Sequence, residues 1–432
     1  MKKALALFLT FAVGCAMLSG CKPFPASASH STGSFPEEPA GAPSEAYHLT
    51  MLTDQWGCSD HFGVEAGCYS LESVDNRSYR ILYTDYSTDT KVPLCSSPSC
   101  THSDETCNAW LGVPNCGAAI FADKAHLFIV TFGSALSDII EFQRIYIANL
   151  DGSGRQLLCE LSPEETFGRN FAADDHFLYF DVGLTQLNAN GLFDATAIRK
   201  IDLTTKEIET VAELDDGGHL VGTVGDTLLI QSVQMPEIKT EEDYQKIKNI
   251  LYRITLTTLE KFPMLAWENG ISNVCVSGDS VFSLDLASAS LYQQKISDFD
   301  TKHLLATLPI QPIGYSIFQY ADPAMVVLDA GAGNNIDSRY VISLEGPMLQ
   351  ESFLKYKDGE VFRYWNVLAP TPDGYLVTYD TREVSRTETL STGDIETFMV
   401  RQEITGIITK EDYFSSQESV QPIQDQPAAF SP

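Results

Sequence analysis

The sequence has few basic residues and many acidic ones. Lysine and arginine together number 28, against 58 aspartate and glutamate residues, which gives a formal net charge of −30. No stretch gathers five or more basic residues, and the binding of nucleic acid or of anionic lipid headgroups needs such clusters. The composition therefore argues against nucleic acid as a partner and predicts a solvated, acidic surface.

Linear catalytic signatures are also missing. The chain contains no G-x-S-x-G, no H-E-x-x-H and no phosphate-binding G-x-x-x-x-G-K-[ST]. Its eight histidines are scattered and form no recognisable triad setting with a serine or a cysteine. No catalytic residue and no cofactor-binding residue can be assigned from such motifs.

Long apolar runs are confined to the start of the chain. Two lysines precede an apolar run from Ala4 to Leu18, which is shorter than the ~20 residues of a membrane span. This pattern predicts a secretory signal peptide at 1–20. The following Leu18-Ser19-Gly20-Cys21 resembles the lipobox of bacterial lipoproteins, which implies cleavage before Cys21 and its lipidation. The alternative is an ordinary signal peptide that contains a cysteine.

This address predicts a location at the extracytoplasmic face of the cell membrane, with the lipid on Cys21 as the membrane contact. Residues 21–46 are rich in Pro, Ser, Ala, Gly and Glu and predict a disordered tether. A reach of roughly 25–30 Å follows for a chain of that length. Residues 415–432 are similarly poor in periodic apolar residues and predict a disordered tail.

A repeat of about 50 residues fills the region between these ends. An acidic turn followed by a short apolar strand recurs at Asp123, Asp175, Asp226, Asp279, Asp322 and Asp373, with a weaker copy near Gly67. Each copy is followed by a second strand pair with polar turns, for example at 144–158 and 197–214, and such alternation is a hairpin signal.

Seven copies of about four strands each predict an all-β fold, a β-propeller at 47–414 with about seven blades and an architecture of the TolB or WD-repeat kind. Six or eight blades, or two separate β domains, are the alternatives. Residues 46–52 are expected to supply a strand that closes the ring against the last repeat. The one helix candidate lies at 240–250, where Thr240 can cap it.

Residues 81–110 resemble a segment of predicted propeller lipoproteins from anaerobic, clostridial-type Gram-positive bacteria. The matching positions are Pro93, Leu94, Cys95, Pro98, Cys100, His102, Cys107, Ala109 and Trp110. The Lys-Glu-Asp-Tyr at Lys410 to Tyr413 is similar to the ending of the same proteins. The resemblance covers about a tenth of the chain, and it implies a lipid-anchored propeller of unassigned biochemical role.

The cysteine-rich stretch allows two kinds of chemistry. Cys95, Cys100, His102 and Cys107 are soft or borderline ligands that suit tetrahedral Zn²⁺, and four filled positions would make the site structural. The alternative is a pair of disulfides, Cys100–Cys107 and Cys95–Cys116, because thiols outside the cell are commonly oxidised.

Three further cysteine predictions concern the rest of the chain. Cys58 and Cys68 are close enough in sequence to close a small loop as a disulfide. Cys159 and Cys275 lie in apolar strand patterns and are predicted to be buried, inert thiols.

Two functions fit the sequence. The first is a binding, scaffolding or sensing module at the cell surface, with a protein, peptide or glycan as its ligand. The second is an extracytoplasmic hydrolase or lyase acting on polysaccharide or peptide, with a site assembled from several blades. Ionisable side chains that converge in the central channel would favour the enzyme, and His126, His176 and His219 are candidates for such positions.

Overall fold

Short antiparallel strands joined by tight turns dominate the structure, as the alternating apolar pattern predicts. The computed structural model describes residues 48–53, 57–75, 78–97, 99–112, 117–132, 142–184, 196–214, 218–234, 240, 247–267, 274–310, 312, 315–331, 338–346, 348–389 and 395–425. The predicted signal peptide, Cys21 and the tether lie outside these residues.

The first three sheets follow the chain order. A short strand, β1 (Thr50–Met51), comes first. Blade 1 contains β2 (His61–Val64), β3 (Gly67–Asp75), β4 (Ser78–Asp85), β5 (Thr90–Pro93) and β6 (Trp110–Gly112). Blade 2 contains β7 (Gly117–Ala122), β8 (His126–Phe132), β9 (Arg144–Asn149) and β10 (Gln156–Glu160). Blade 3 contains β11 (Glu165–Ala173), β12 (Phe177–Leu184), β13 (Thr196–Asp202) and β14 (Ile208–Leu214).

Three four-stranded sheets come next. Blade 4 contains β15 (His219–Val224), β16 (Thr227–Gln234), β17 (Lys248–Thr255) and β18 (Lys261–Trp267). Blade 5 contains β19 (Cys275–Ser277), β20 (Ser280–Asp285), β21 (Ser290–Lys295) and β22 (Asp298–Thr307). Blade 6 contains β23 (Tyr315–Ala321), β24 (Met325–Gly331), β25 (Ser338–Ser343) and β26 (Met348–Ser352).

The last blade is preceded by a separate hairpin and followed by a short helix. The hairpin is β27 (Lys355–Asp358) with β28 (Val361–Tyr364). Blade 7 contains β29 (Asn366–Pro370), β30 (Gly374–Thr389), β31 (Ile395–Thr409) and β32 (Val420–Pro422). The helix α1 (Lys410–Phe414) lies between β31 and β32, and β33 (Gln424–Asp425) ends the described chain.

Within the described chain, the blades form a β-propeller of seven sheets, which confirms the predicted fold and blade number. The first strand of each blade faces the axis, because β2 touches both β7 and β29, and β15 touches both β11 and β19. The apolar core is divided in the same way. Seven hydrophobic clusters occur, and each lies between two consecutive blades.

The acidic turns of the repeat connect the first and second strands of the blades. Asp123, Asp174 and Asp322 each accept hydrogen bonds, through Oδ1, from the backbone N–H groups two and three residues later. A carboxylate that caps its own turn in this way fixes the reversal between two apolar strands. Part of the acidity of the chain therefore has a local structural cause.

Residues 48–53 and 57–59, which we call the axial segment, run along the inner strands before blade 1 begins. The backbone N–H of Leu49 donates to Gly225 O in blade 4 (3.3 Å), and β1 then pairs with β11 in blade 3. Ser59 bridges to Ile120 in blade 2. The predicted ring-closing strand at 46–52 is therefore wrong. Leu49 and Leu52 instead enter the apolar clusters on either side of blade 3.

The ring is closed at the other end of the chain, by residues 415–425, which we call the closing strap. Its strand β32 extends blade 7, and β33 pairs in parallel with β5 of blade 1. Ile423, between these two strands, packs against the apolar seam between blades 1 and 7. The predicted domain end at 414 is thus wrong, and the predicted disordered tail is wrong for residues 415–425.

The predicted helix at 240–250 is also not supported where it can be checked. Its last residues belong to β17, which begins at Lys248, and 241–246 lie outside the described residues. The Lys-Glu-Asp-Tyr motif instead forms α1, whose N-cap Thr409 accepts a hydrogen bond from the Asp412 backbone. No helix in the part of the chain that the structure describes has the length and apolar character of a membrane span.

Candidate metal centre and axial cavity

The cysteine-rich stretch is an excursion from the outer edge of blade 1. Strands β5 and β6 both pair with β4, so that together they form one interrupted outer strand. Residues 94–109 leave the sheet at this interruption. Both ends of the excursion are bound to Ile81, since Leu94 N donates to its carbonyl oxygen (2.9 Å) and its own N–H donates to Ala109 O (2.7 Å).

This excursion brings the four predicted metal-binding residues together. The ligand atoms of Cys95, Cys100, His102 and Cys107 all lie within 4.8 Å of one another. Ligands at about 2.3 Å from a tetrahedral Zn²⁺ would be separated by roughly 3.8 Å. Within the cluster, His102 Nδ1 lies 3.3 Å from Cys107 Sγ. The cluster therefore has the composition and spacing to hold a metal ion.

Backbone groups around the cluster also suit bound thiolates. The N–H of His102 points at Cys100 Sγ (3.4 Å), and the N–H of Ala109 points at Cys107 Sγ (3.3 Å). Hydrogen bonds to a sulfur favour its charged form, and the bond from His102 holds the pKa of Cys100 below its usual value. His102 itself adopts φ of 53°, a left-handed conformation that is uncommon for a non-glycine residue.

Two other groups of the cluster are held in their neutral forms. Burial, together with the neighbouring Cys100, raises the pKa of Cys107 to about 12. Burial and the charge of Arg80 lower the pKa of His102. A neutral imidazole is the form that binds a metal, whereas Cys107 must lose its proton when an ion binds.

The disulfide predictions have separate outcomes. Cys95, Cys100 and Cys107 are thiols in the structure, and Cys116 lies outside the described residues. The predicted Cys58–Cys68 disulfide is wrong.

These two side chains point into different interfaces, which is why they do not pair. Cys68 packs against Ala369 and Leu376 of blade 7, whereas Cys58 packs against the cluster between blades 2 and 3. Cys159 and Cys275 are buried as predicted, and burial raises the pKa of Cys159 to about 11.

The axis of the ring contains a cavity of about 430 Å³. Its walls are the axial segment and the inner strands of blades 1, 2, 4, 5, 6 and 7. Among the described lining residues there is no aspartate, glutamate, lysine or arginine, and His61 is the one histidine. Its Nδ1 lies 2.9 Å from Asp60 Oδ1.

The three histidines considered from the sequence do not line this cavity. His126 lies beside the turn carboxylate of Asp123 (3.1 Å), and His176 is exposed in the next blade's turn. Burial lowers the pKa of His219, which begins β15. Sequence reasoning missed His61, whose only signal was its position at the start of the first inner strand.

A second concavity of about 820 Å³ lies at the seam between blades 1 and 7, and its character is different. Its lining includes four carboxylates, from Glu65, Asp85, Asp89 and Asp373, and neither lysine nor arginine. These carboxylates belong to the turns that join the strands. The part of the axial cavity lining that the structure describes thus has His61 as its one ionisable acidic or basic side chain, while this groove is acidic.

No family model and no curated protein matches the chain. Solved structures with a similar arrangement include the oligogalacturonate lyase of Vibrio parahaemolyticus (11% identity, 83% of this chain and 98% of that chain, TM-score 0.45). The β-propeller domain of the Trilobed protease from Pyrococcus furiosus is another (10% identity, 83% and 98%, TM-score 0.43). TolB from Acinetobacter baumannii is a third (14% identity, 71% and 62%, TM-score 0.34). At these identities and scores, the matches carry no argument about activity.

Proposed function

We propose that this protein is a lipid-anchored propeller that acts as a binding, scaffolding or sensing module at the extracytoplasmic face of the cell membrane. The observation that carries this proposal is the lining of the axial cavity. A hydrolase or lyase needs an acid and a base, or a nucleophile with its partner, within reach of one substrate. The described lining offers no carboxylate, lysine or arginine. Its one histidine, His61, pairs through Nδ1 with the neighbouring Asp60, and the Ser59 hydroxyl donates to the His61 carbonyl oxygen rather than to its ring.

The test of this role compares binding with turnover. The protein is incubated with cell-wall polysaccharide and with unstructured peptides, and the mixtures are analysed for retention on the immobilised protein and for cleavage products. The proposal expects retention of one class without change in its mass. New reducing ends, unsaturated sugars or peptide fragments would instead support the hydrolase or lyase.

The anchor has its own test, at Cys21. Wild-type protein in its bacterial host should partition with membranes and incorporate a labelled fatty acid, because the residues before Cys21 resemble a lipobox. Cys21→Ser should remove both properties, while Cys159→Ser, at a buried thiol, should remove neither. A Cys21→Ser protein that still carries the acyl label would contradict the assignment.

We further propose that the cluster of Cys95, Cys100, His102 and Cys107 binds a structural Zn²⁺. Three thiolates and one imidazole would fill a tetrahedral shell and leave no position for water, which a catalytic zinc requires. The site also lies at the outer edge of blade 1, whereas the cavity lies at the axis.

Elemental analysis and thiol counting test this assignment. Purified protein should contain about one zinc per chain, and His102→Ala should lower the content severalfold while its cysteines remain countable as thiols after denaturation. The control, His303→Ala, changes a histidine on the exposed β22 and should leave the zinc content unchanged. Metal-free protein with its 95–107 cysteines oxidised would support the disulfide alternative.

A further inference from the structure

The axial cavity differs from the groove at the seam between blades 1 and 7, because no carboxylate occurs among its described lining residues. The protein carries a net charge of −30, and the groove at the seam shows that its other large concavity is lined by carboxylates. The axial cavity has a volume of about 430 Å³, and among its described lining residues His61 is the one acidic or basic side chain. Cavities of this size are typical of small-molecule sites.

The polar groups of the lining are largely engaged within the protein. Four hydroxyl groups have internal partners. These are Ser59 Oγ with His61 O (2.7 Å), Thr53 Oγ1 with Asn170 Oδ1 (3.3 Å), Thr223 Oγ1 with Leu49 O (3.4 Å) and Ser277 Oγ with Ala321 O (3.0 Å). The exposed lining is therefore free of acidic and basic side chains among its described residues except His61, and it includes apolar side chains such as Phe62, Val276 and Leu368.

We propose that the axial cavity is a binding site for an uncharged small molecule. A charged guest would leave water without an opposite charge to meet it, which is unfavourable. An uncharged guest avoids this unfavourable loss of charge hydration, and its apolar part removes apolar wall surface from water. The axial segment forms one wall, so the chain that leads towards the proposed lipid anchor is part of the site.

The site goes beyond the surface role proposed above, because a scaffold could act through its outer faces alone. Its ligand is tested with N-phenyl-1-naphthylamine, an uncharged fluorophore, and with 1-anilinonaphthalene-8-sulfonate, which has the same rings and a sulfonate. The full chain carrying Cys21→Ser is used without detergent, since micelles would take up the probe. The neutral probe should bind at about one per chain, at least tenfold more tightly than the sulfonate.

Thr50 provides the matched variants, because it is an exposed residue in the cavity wall. Thr50→Asp should lower the affinity for the neutral probe at least tenfold. Thr50→Val should bind this probe with the same affinity as the Cys21→Ser protein without a further change. Thr301→Asp makes the same change on the exposed β22 and should have no effect. Equal affinity in Thr50→Asp and Thr301→Asp, or equal affinity for both probes, would overturn the proposal.

A second measurement does not depend on any variant. Crystals of the protein soaked with 1-bromonaphthalene should show the anomalous signal of bromine at the axis, between the axial segment and the inner strands. Bromine found only elsewhere, or none at all, would overturn the assignment. A negative result here would not bear on the lipid anchor or the zinc site, because acyl labelling tests the anchor and elemental analysis tests the zinc site.

Discussion

Asp181 has a buried carboxyl group, and one of its two oxygens has no hydrogen-bond partner in the described structure. It lies against the bulge of β11 in blade 3, is 4% exposed, and its Oδ1 has no hydrogen-bond partner. Gly168 makes room for it, since a Cβ at that residue would lie 2.0 Å from Asp181 Oδ2. Burial raises the pKa of Asp181 to about 7, against the effect of a hydrogen bond from the Asn170 backbone.

This residue makes stability depend on pH in a defined direction. The unfolded pKa of an aspartate is about 3.9, so between about pH 4 and pH 7 the folded state binds more protons than the unfolded state. The free energy of unfolding therefore falls as the pH rises through this window. Above pH 7 the buried, ionised carboxylate lowers the free energy of unfolding by at most about 4 kcal/mol, and Asp181→Asn should remove this destabilisation.

The measurement is the melting temperature of parent and variant at pH 4 and pH 8. Asp181→Asn should melt at a higher temperature than the parent at pH 8, and the difference should disappear near pH 4. Asp202→Asn is the control. The Asp202 carboxylate accepts hydrogen bonds from the backbone N–H groups of Thr205 and Thr204, which lower its pKa, so its loss should give no gain at pH 8. An equal gain at both pH values would contradict the explanation.

At the scale of elements, the interrupted outer strand of blade 1 is the feature on which the metal would act. The three-residue β6 is held to β4 by pairs from Ser78 to Arg80, and the excursion before it has no other strand. A metal joining Cys95, at the start of the excursion, to Cys107, near its end, would hold both halves of the strand in place. The ligands themselves would fold the chain between them.

Hydrogen exchange measured by mass spectrometry tests this role. Removal of zinc with a chelator should speed amide exchange at least tenfold over residues 94–112, because the excursion then opens locally. Strands β19 to β22 of blade 5 serve as the internal control and should not change. His102→Ala should show the faster exchange without chelator, and unchanged exchange over 94–112 in metal-free protein would contradict the proposed role.

The sequence predicted those elements whose signal is local. Acidic turns such as those of Asp123 and Asp322 could be placed because the aspartate caps its own turn through local hydrogen bonds. The four metal-ligand candidates could be grouped because they lie within thirteen residues. Neither prediction needed knowledge of distant parts of the chain.

The elements that were missed depend on contacts between distant residues. Strand β1 has two residues and pairs with a strand more than 100 positions later, so its sequence shows no alternation that would reveal a partner. The strap pairs residues 424–425 with β5, at the other end of the ring. The cavity likewise gathers residues from six blades, and only the closed ring brings them together.

At the scale of the whole molecule, the seam between blades 1 and 7 has the smallest apolar cluster among the described residues of the ring. Its apolar cluster has four buried residues, Cys68, Ala369, Leu376 and Ile423, and the last of these comes from the closing strap. The cluster between blades 2 and 3 has sixteen. Polar contacts add to the seam, since Arg382 pairs with Asp425 (2.6 Å) and Gln402 donates to Glu72 (2.6 Å).

The same blade carries the interrupted strand and receives the strap. Strand β5 pairs with β4 on one edge and with β33 on the other, and it ends two residues before Cys95. The metal centre and the ring closure therefore share one short strand. Because each blade packs on its neighbours, opening this seam should lower the stability of the whole ring.

The last prediction concerns this closure. A chain ending at Phe414 lacks β32, β33 and Ile423, so it should unfold at a lower melting temperature than the full chain, with about 2–5 kcal/mol less stability from the lost apolar side chain alone. A chain ending at Asp425 keeps the whole strap and should melt as the full chain does. Ile423→Asp should reproduce the loss, whereas Ile395→Asp, at a residue that is 73% exposed, should not. Calorimetry of the four variants decides the matter: if the chain ending at Phe414 melted in one sharp transition at the temperature of the full chain, the strap would not close the ring.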